Sequence, residues 1–96
     1  MSAYVVGYVT LTDPSWLEEY GPKVEAQVQA HGGRYLARAG EIEKLEGDIS
    51  IPSAAVVLEF PDADAARAWY NSDEYAPMLK LRQSGSTGDL LLFDGL

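Results

Sequence analysis

Four segments of the chain carry the alternating apolar pattern and the β-branched and aromatic residues of β-strands. They are residues 3–11, 34–39, 54–60 and 89–94. Helical spacing of apolar residues fills two of the gaps, over residues 14–31 and 63–70, and a further short helix is expected from about residue 74 to 83. The order β-α-β-β-α-β predicts one α+β domain over residues 1–96 with a ferredoxin-like fold. Its four-stranded antiparallel sheet has helices on one face and strands one and three as central neighbours.

Capping residues mark the ends of the predicted helices. Asp13-Pro14 is suited to begin the first helix, and Asp62 can cap the second through its carboxylate. Gly32-Gly33 is suited to end the first helix, because glycine readily takes the left-handed conformation of a helix terminus. Gly21-Pro22 predicts a kink or a restart inside that helix, since proline donates no hydrogen bond.

Two polar segments are expected to be connections. Residues 40–52, between the second and third strands, are polar and rich in charged side chains. This composition predicts a long hairpin connection with strand pairing near its stem. The serine- and glycine-rich residues 84–88 predict a loop before the last strand.

Both faces of the predicted sheet are largely apolar, although the helices can cover only one of them. In the first strand, one set is Val5, Gly7, Val9 and Leu11, and the opposite set is Tyr4, Val6, Tyr8 and Thr10. An uncovered apolar sheet face is unusual for a soluble monomer. We therefore expect a homodimer formed sheet against sheet, burying on the order of 1,500 Å². A ligand-covered or a tetrameric face is the alternative.

The composition excludes several classes of function. With 7 Lys and Arg against 15 Asp and Glu, the net charge of −8 argues against nucleic-acid binding. The chain has no cysteine, so thiolate metal sites and cysteine nucleophiles are excluded. One histidine is too few for an ordinary transition-metal site, and no cofactor is predicted. No apolar run approaches a membrane span and no signal segment is visible, so cytoplasmic location without a membrane partner is the default expectation.

The more polar sheet face offers one candidate cavity. If the more apolar sets face the helices, Tyr4, Tyr8 and Glu59 point into the space between two subunits. Arg34 and Arg38 are expected to share one face of the second strand. On that face they would lie near the tyrosine hydroxyls, in a partly enclosed space for a small polar or aromatic ligand.

Several motifs together resemble domain-of-unknown-function family 1330. They cover nearly the whole chain: Tyr20, His31-Gly32-Gly33-Arg34-Tyr35-Leu36, Gly40-Glu41, Leu45-Glu46-Gly47-Asp48, Glu59-Phe60-Pro61, Ala66-Arg67-Ala68-Trp69-Tyr70-Asn71-Ser72, Glu74-Tyr75 and Leu81-Arg82. The resemblance implies the dimeric α+β-barrel superfamily, which also contains antibiotic-biosynthesis monooxygenases, chlorite dismutase-like haem enzymes, stress-response barrels and muconolactone-isomerase-like proteins. The family itself has no established activity, so the resemblance implies fold and dimer rather than a reaction.

The first functional hypothesis is a small-molecule site in the cleft between sheet and helices, in a small bacterial-type protein. Its candidate residues are Tyr20, His31, Arg34, Glu46, Tyr70, Tyr75 and Arg82. Arg34 would anchor an anion and His31 or Glu46 would carry a proton. By superfamily analogy, the chemistry would be cofactor-free oxidation or isomerisation of a small organic molecule.

Each candidate also has a structural interpretation. His31 precedes two glycines and suits a helix C-terminus, whose dipole stabilises a partly cationic imidazole. Glu46 can be a turn carboxylate that accepts from backbone N–H groups. Arg82 can face a carboxylate such as Glu46 or simply favour a helix C-terminus, and Trp69 is expected in the core.

The second hypothesis is a non-enzymatic dimeric module whose motifs serve only folding and assembly. It predicts cavities filled by side chains. A haem site at His31 ranks third.

Overall fold

The computed structural model describes all 96 residues, Met1–Leu96. The chain alternates between strands and helices in the order that the sequence pattern predicts, with an additional helix before the last strand. The elements are β1 (Ala3–Leu11), a 3₁₀ turn (Pro14–Trp16), α1 (Leu17–Ala30), β2 (Arg34–Ala39), β3 (Ala54–Phe60), α2 (Ala63–Tyr70), α3 (Tyr75–Ser84) and β4 (Ser86–Asp94).

The four strands form one antiparallel sheet in the order β2-β3-β1-β4. This confirms the predicted α+β, ferredoxin-like fold with β1 and β3 as central neighbours. Val5 of β1 is opposite Leu58 of β3 and Leu92 of β4, so these three side chains lie on the face that packs against the helices. The molecule is a thin slab whose Cα extents are 32 × 31 × 16 Å.

The predicted caps are confirmed at the first and second helices. The Asp13 carboxylate accepts from the backbone N–H of Ser15 at 3.0 Å, and that of Asp62 accepts from Ala65 at 2.7 Å. After α1, Gly32 takes a left-handed φ of 80°. The helix nevertheless runs continuously through Pro22, so the predicted restart is not seen.

The last strand begins earlier than the sequence predicts. Residues 86–88 belong to β4 and pair with β1, with Gly88 opposite Val9. A Cβ on Gly88 would collide with the carbonyl oxygen of Tyr8, so this glycine permits a close approach of two strands. The predicted loop is therefore reduced to a tight connection between α3 and β4. Residues 40–53 form no strand, so the expected pairing at the stem of the long connection is absent.

A β-bulge in β2 overturns one predicted side-chain arrangement. The pairing with β3 shifts between Tyr35 and Ala37, which leaves Leu36 as the extra residue. Arg34 is opposite Glu59 and lies on the open face of the sheet, whereas Arg38 is opposite Val56 and lies on the helix side. The prediction that Arg34 and Arg38 share a face was wrong, because one inserted residue reverses the alternation.

The core lies between the sheet and the helices. Its fully buried side chains are Leu58 and Phe60 from β3, Val24 and Val28 from α1, Trp69 from α2, and Tyr75 from α3. On the other face of the sheet, Leu91 is 55% and Phe93 51% exposed. Nothing within the chain covers this face, which we call the open face. None of the helices has the length and apolar character needed to cross a membrane.

Candidate functional site

A cavity of about 480 Å³ lies between the helix-side face of the sheet and the helices. Val9, Val56 and Leu58 form its floor on β1 and β3. Leu17, Tyr20 and Gly21 of α1 form one wall. The volume falls within the roughly 300–1,000 Å³ that small-molecule pockets usually have.

Two tryptophans border the cavity, and their indole N–H groups differ in hydrogen bonding. Trp16 Nε1 donates to the carbonyl oxygen of Gly85 at 3.2 Å. Trp69 is 2% exposed, and its Nε1 has no hydrogen-bond partner. A buried donor without a partner costs about 1–3 kcal/mol, so proteins seldom keep one.

Arg82 reaches the same cavity from the last turn of α3. The residue is only 6% exposed, and its Nε has no hydrogen-bond partner. None of the four ion pairs of the chain includes Arg82, so no carboxylate neutralises it. Burial opposes its charge, but the neighbouring Tyr75 and Tyr20 hydroxyls outweigh that effect, so the pKa of Arg82 lies above its ordinary value. The cavity therefore contains a permanent cation.

A pair of tyrosines supports this wall. The hydroxyl oxygens of Tyr20 and Tyr75 are 2.8 Å apart, and Tyr75 is completely buried. Burial, together with the neighbouring Tyr75, raises the pKa of Tyr20 well above its ordinary value. Tyr20 therefore stays protonated at neutral pH and can act only as a neutral hydrogen-bonding group.

The rim carries a second cation that is already paired. The Arg38 guanidinium lies 4.4 Å above the Tyr35 ring and 3.7 Å from the Glu25 carboxylate. Both Tyr35 and Arg38 border the cavity. Burial raises the pKa of the Tyr35 hydroxyl, although Arg38 partly opposes this.

The structure brings part of the predicted candidate set together. Tyr20 and Arg82 border the cavity. Tyr75 lies behind Tyr20, its ring centroid 4.5 Å from that of Trp69. Tyr70 is 40% exposed and borders a smaller, polar cavity of about 380 Å³, which Arg82 also reaches.

The other three predicted candidates lie elsewhere in the chain, so their predicted placement in this cleft was wrong. His31 is the C-cap of α1, and its Nδ1 donates to the carbonyl oxygen of Gln27 at 3.0 Å. Glu46 is exposed on the long connection and forms no ion pair with Arg82. Arg34 lies on the open face, where its Nε donates to Glu59 at 2.9 Å.

Trp16 and Tyr35 were not among the predicted site residues, Arg38 was predicted for the cavity on the other face of the sheet, and Trp69 was predicted only as a core residue. The bulge that turns Arg38 toward the helices has no clear sequence signal. Trp69 resembles an ordinary core residue, and only the missing partner of its N–H group distinguishes it.

The open face carries a separate polar cluster. Glu59 accepts from Arg34 Nε and, at 3.3 Å, from the Tyr4 hydroxyl. The hydrogen bond from Arg34 is the main reason that the pKa of Glu59 is lowered. The predicted position of Tyr4 and Glu59 on this face is confirmed.

The chemistry of the cavity is that of hydrogen-bond donation in an apolar enclosure. No histidine, aspartate or glutamate, the side chains that most often act as general bases, borders it. No group of three or more acidic or histidine side chains is placed to hold a metal ion. What the cavity offers is the buried cation of Arg82, a second cation, Arg38, at its rim, and aromatic walls.

Comparison with solved structures shows which fold this arrangement belongs to. A protein of unknown function from Rhodopseudomonas palustris superposes with a TM-score of 0.82 at 17% identity, covering 99% of this chain and 82% of that one. A cofactor-independent oxygenase from Streptomyces nogalater gives 0.72 at 18%, covering 99% and 93%. A dimeric protein of unknown function with a ferredoxin-like fold from Bacteroides fragilis gives 0.62 at 11%, covering 98% and 96%. At these identities the likeness establishes the fold alone.

The search of functionally curated proteins found no match. The model of a domain of unknown function, DUF1330, matches residues 2–96, nearly the full chain. The chain therefore belongs to the DUF1330 family.

Proposed function

We propose that this protein is a homodimer that binds a small, largely apolar organic molecule in the cavity between sheet and helices. The observation that carries the proposal is the cavity itself, about 480 Å³ of space bordered by aromatic rings and by the buried residue Arg82. Protein interiors are normally close-packed, so a cavity of this size in a small domain is typical of a ligand-binding site.

The homodimer is supported by the open face. Leu91, Phe93 and Tyr8 are exposed there at 55%, 51% and 37%. A second copy packed against this face would remove them from water and give an isologous two-fold interface of ordinary size. The Bacteroides fragilis neighbour is described as dimeric, which supports the same assembly here.

The alternative of a purely structural module is less well supported. That hypothesis predicts a filled interior, whereas a cavity of about 480 Å³ lies beside the core. The Streptomyces nogalater neighbour is a cofactor-independent oxygenase, which makes a reaction without a cofactor a reasonable extension. Since no acidic or histidine side chain borders the cavity, ligand binding is the function that the geometry supports best.

The proposal is tested by thermal shift with a cavity-filling variant as control. Gly21 borders the cavity, and a Cβ on it would meet nothing within 4 Å, so we expect the Gly21→Leu side chain to occupy part of the cavity. Aromatic and carboxylate metabolites are screened against the wild type, Gly21→Leu and the exposed-surface control Gln29→Leu. A ligand at about ten times its Kd should raise Tm by roughly 5–10 °C in the wild type and Gln29→Leu only. Equal shifts in Gly21→Leu, or no shift with any compound, would contradict the proposal.

A further inference from the structure

We infer that the ligand of this cavity is an organic monoanion, an apolar and largely aromatic body with one oxyanion that binds beside Arg82. This inference rests on the proposed binding function and adds the charge and polarity of the ligand to it.

The distribution of charge determines the sign of the ligand. The chain has 15 Asp and Glu against 7 Lys and Arg, yet the cavity is bordered by two arginines and by none of the carboxylates. Arg38 is half-exposed at the rim and lies 3.7 Å from the Glu25 carboxylate, so its charge is already partly balanced by water and by Glu25. Arg82 is buried and unpaired, so one positive charge is left for a ligand to neutralise.

The guanidinium of Arg82 indicates an oxygen acceptor. Its N–H groups can only donate, and a carboxylate, phenolate or enolate oxygen makes a stronger hydrogen bond to a charged donor than to a neutral one. The two unpartnered nitrogens, Arg82 Nε and Trp69 Nε1, are enclosed by protein atoms, so the ligand binds through the terminal nitrogens of the Arg82 guanidinium.

The walls limit the rest of the ligand. Apart from the two arginines and the tyrosine hydroxyls, they are aliphatic and aromatic, with Trp16, Tyr20, Tyr35 and Trp69 contributing rings. Rings favour aromatic ligands, and a second charged group on the ligand would find no partner among these side chains. The expected class is therefore a carboxylate, phenolate or enolate on a ring system, with no second charge.

The inference is tested with two probes of nearly equal shape, 2-naphthoate and its neutral amide, 2-naphthamide. Isothermal titration calorimetry at neutral pH measures both Kd values for the wild type. The acid should bind about tenfold more tightly than the amide, the preference that one charge-assisted hydrogen bond supplies. In Arg82→Met the preference should fall to within about twofold of unity, while Arg82→Lys, which keeps the charge, should retain part of it.

The outcomes separate this inference from the proposed function. Equal affinity for acid and amide in the wild type, with both lost in Gly21→Leu, would overturn the anion inference and leave the binding cavity in place. A preference that persists unchanged in Arg82→Met would overturn it too. If naphthoate does not bind, the anion inference is overturned as well. The thermal-shift screen of metabolites then tests the binding function independently. If Arg82→Met does not fold, the acid and amide affinities of Arg82→Gln, which also removes the charge, decide in the same way.

Discussion

Arg82 is the residue at which ligand binding and stability make opposite demands. A buried guanidinium whose Nε lacks a partner lowers the free energy of unfolding, and nothing in the chain offsets its charge with a carboxylate. Active and binding sites commonly retain such destabilising groups. In this account Arg82 serves the ligand rather than the fold.

Removing the charge of Arg82 should not destabilise the fold. Arg82→Met keeps the aliphatic volume and removes the charge, so the free energy of unfolding should stay unchanged or rise by up to about 2 kcal/mol. Chemical denaturation without ligand measures it. A loss of more than about 2 kcal/mol would assign Arg82 to the framework of the fold.

The matched contrast is Trp69→Ala. Trp69 is 2% exposed and its ring centroid is 4.5 Å from that of Tyr75 and 5.7 Å from that of Phe60. Deleting such a side chain should destabilise the protein by about 3–5 kcal/mol. The same denaturation experiment checks it, and a loss below about 1 kcal/mol would show that Trp69 contributes little packing.

Single residues were predictable where their local context determines their role. Asp13 and Asp62 cap helices, as their position before each helix indicates. His31 acts as a C-cap, one of the three roles considered from the sequence. Arg34 was considered both for the cleft and for the open face beside Glu59, and it lies on the open face; residue type alone could not decide, because strand orientation depends on register.

Among the elements, α1 contains Gly21 and is followed by Gly33. Substituting alanine at these two glycines should change stability in opposite directions. Gly21 lies in open space within the helix, so Gly21→Ala should stabilise the protein by about 0.5–1 kcal/mol through helix propensity. A Cβ on Gly33 would lie 2.7 Å from a Phe60 ring carbon and 2.9 Å from Val28 Cγ1. Gly33→Ala should therefore destabilise by about 1–3 kcal/mol. Thermal unfolding of both variants checks the pair, and equal effects would contradict it.

Element boundaries were predictable for β1, β2, β3 and α2, and less so for β4. The serine and glycine residues before β4 have loop composition, yet Gly88 pairs with Val9 because two strands approach closely there. The bulge at Leu36 was equally invisible, since Leu36 continues an alternating pattern. Both are pairing effects between distant segments, which local sequence does not contain.

For the whole molecule, the open face predicts association. Sedimentation at micromolar concentration should give twice the chain mass of 10.5 kDa. Phe93→Lys places a charge among the exposed apolar side chains and should shift the protein toward monomer. Gln29→Lys, on an exposed helix position, is the control. A monomeric wild type, or a Phe93→Lys variant as dimeric as the control, would contradict the sheet-to-sheet interface.

The Arg34–Glu59 pair predicts a pH dependence. The pKa of Glu59 is lowered in the folded protein, chiefly by the hydrogen bond from Arg34. Its stabilising contribution is therefore present above its ordinary value of 4.5 and is lost as the pH falls through the lowered folded value. The Tm difference between wild type and Glu59→Gln should shrink below about pH 4.5. A difference that grows on acidification would contradict the assignment.

The most direct test of the ligand site uses the two tryptophans of the chain as reporters, because both border the cavity. In a ¹H–¹⁵N correlation spectrum, addition of 2-naphthoate should move both indole peaks of the wild type, since an aromatic probe in the cavity lies beside both rings. At the same probe concentration, Arg82→Met should show much smaller shifts. If both indole peaks stay in place while the probe binds, the ligand lies outside this cavity and the account of the site is wrong.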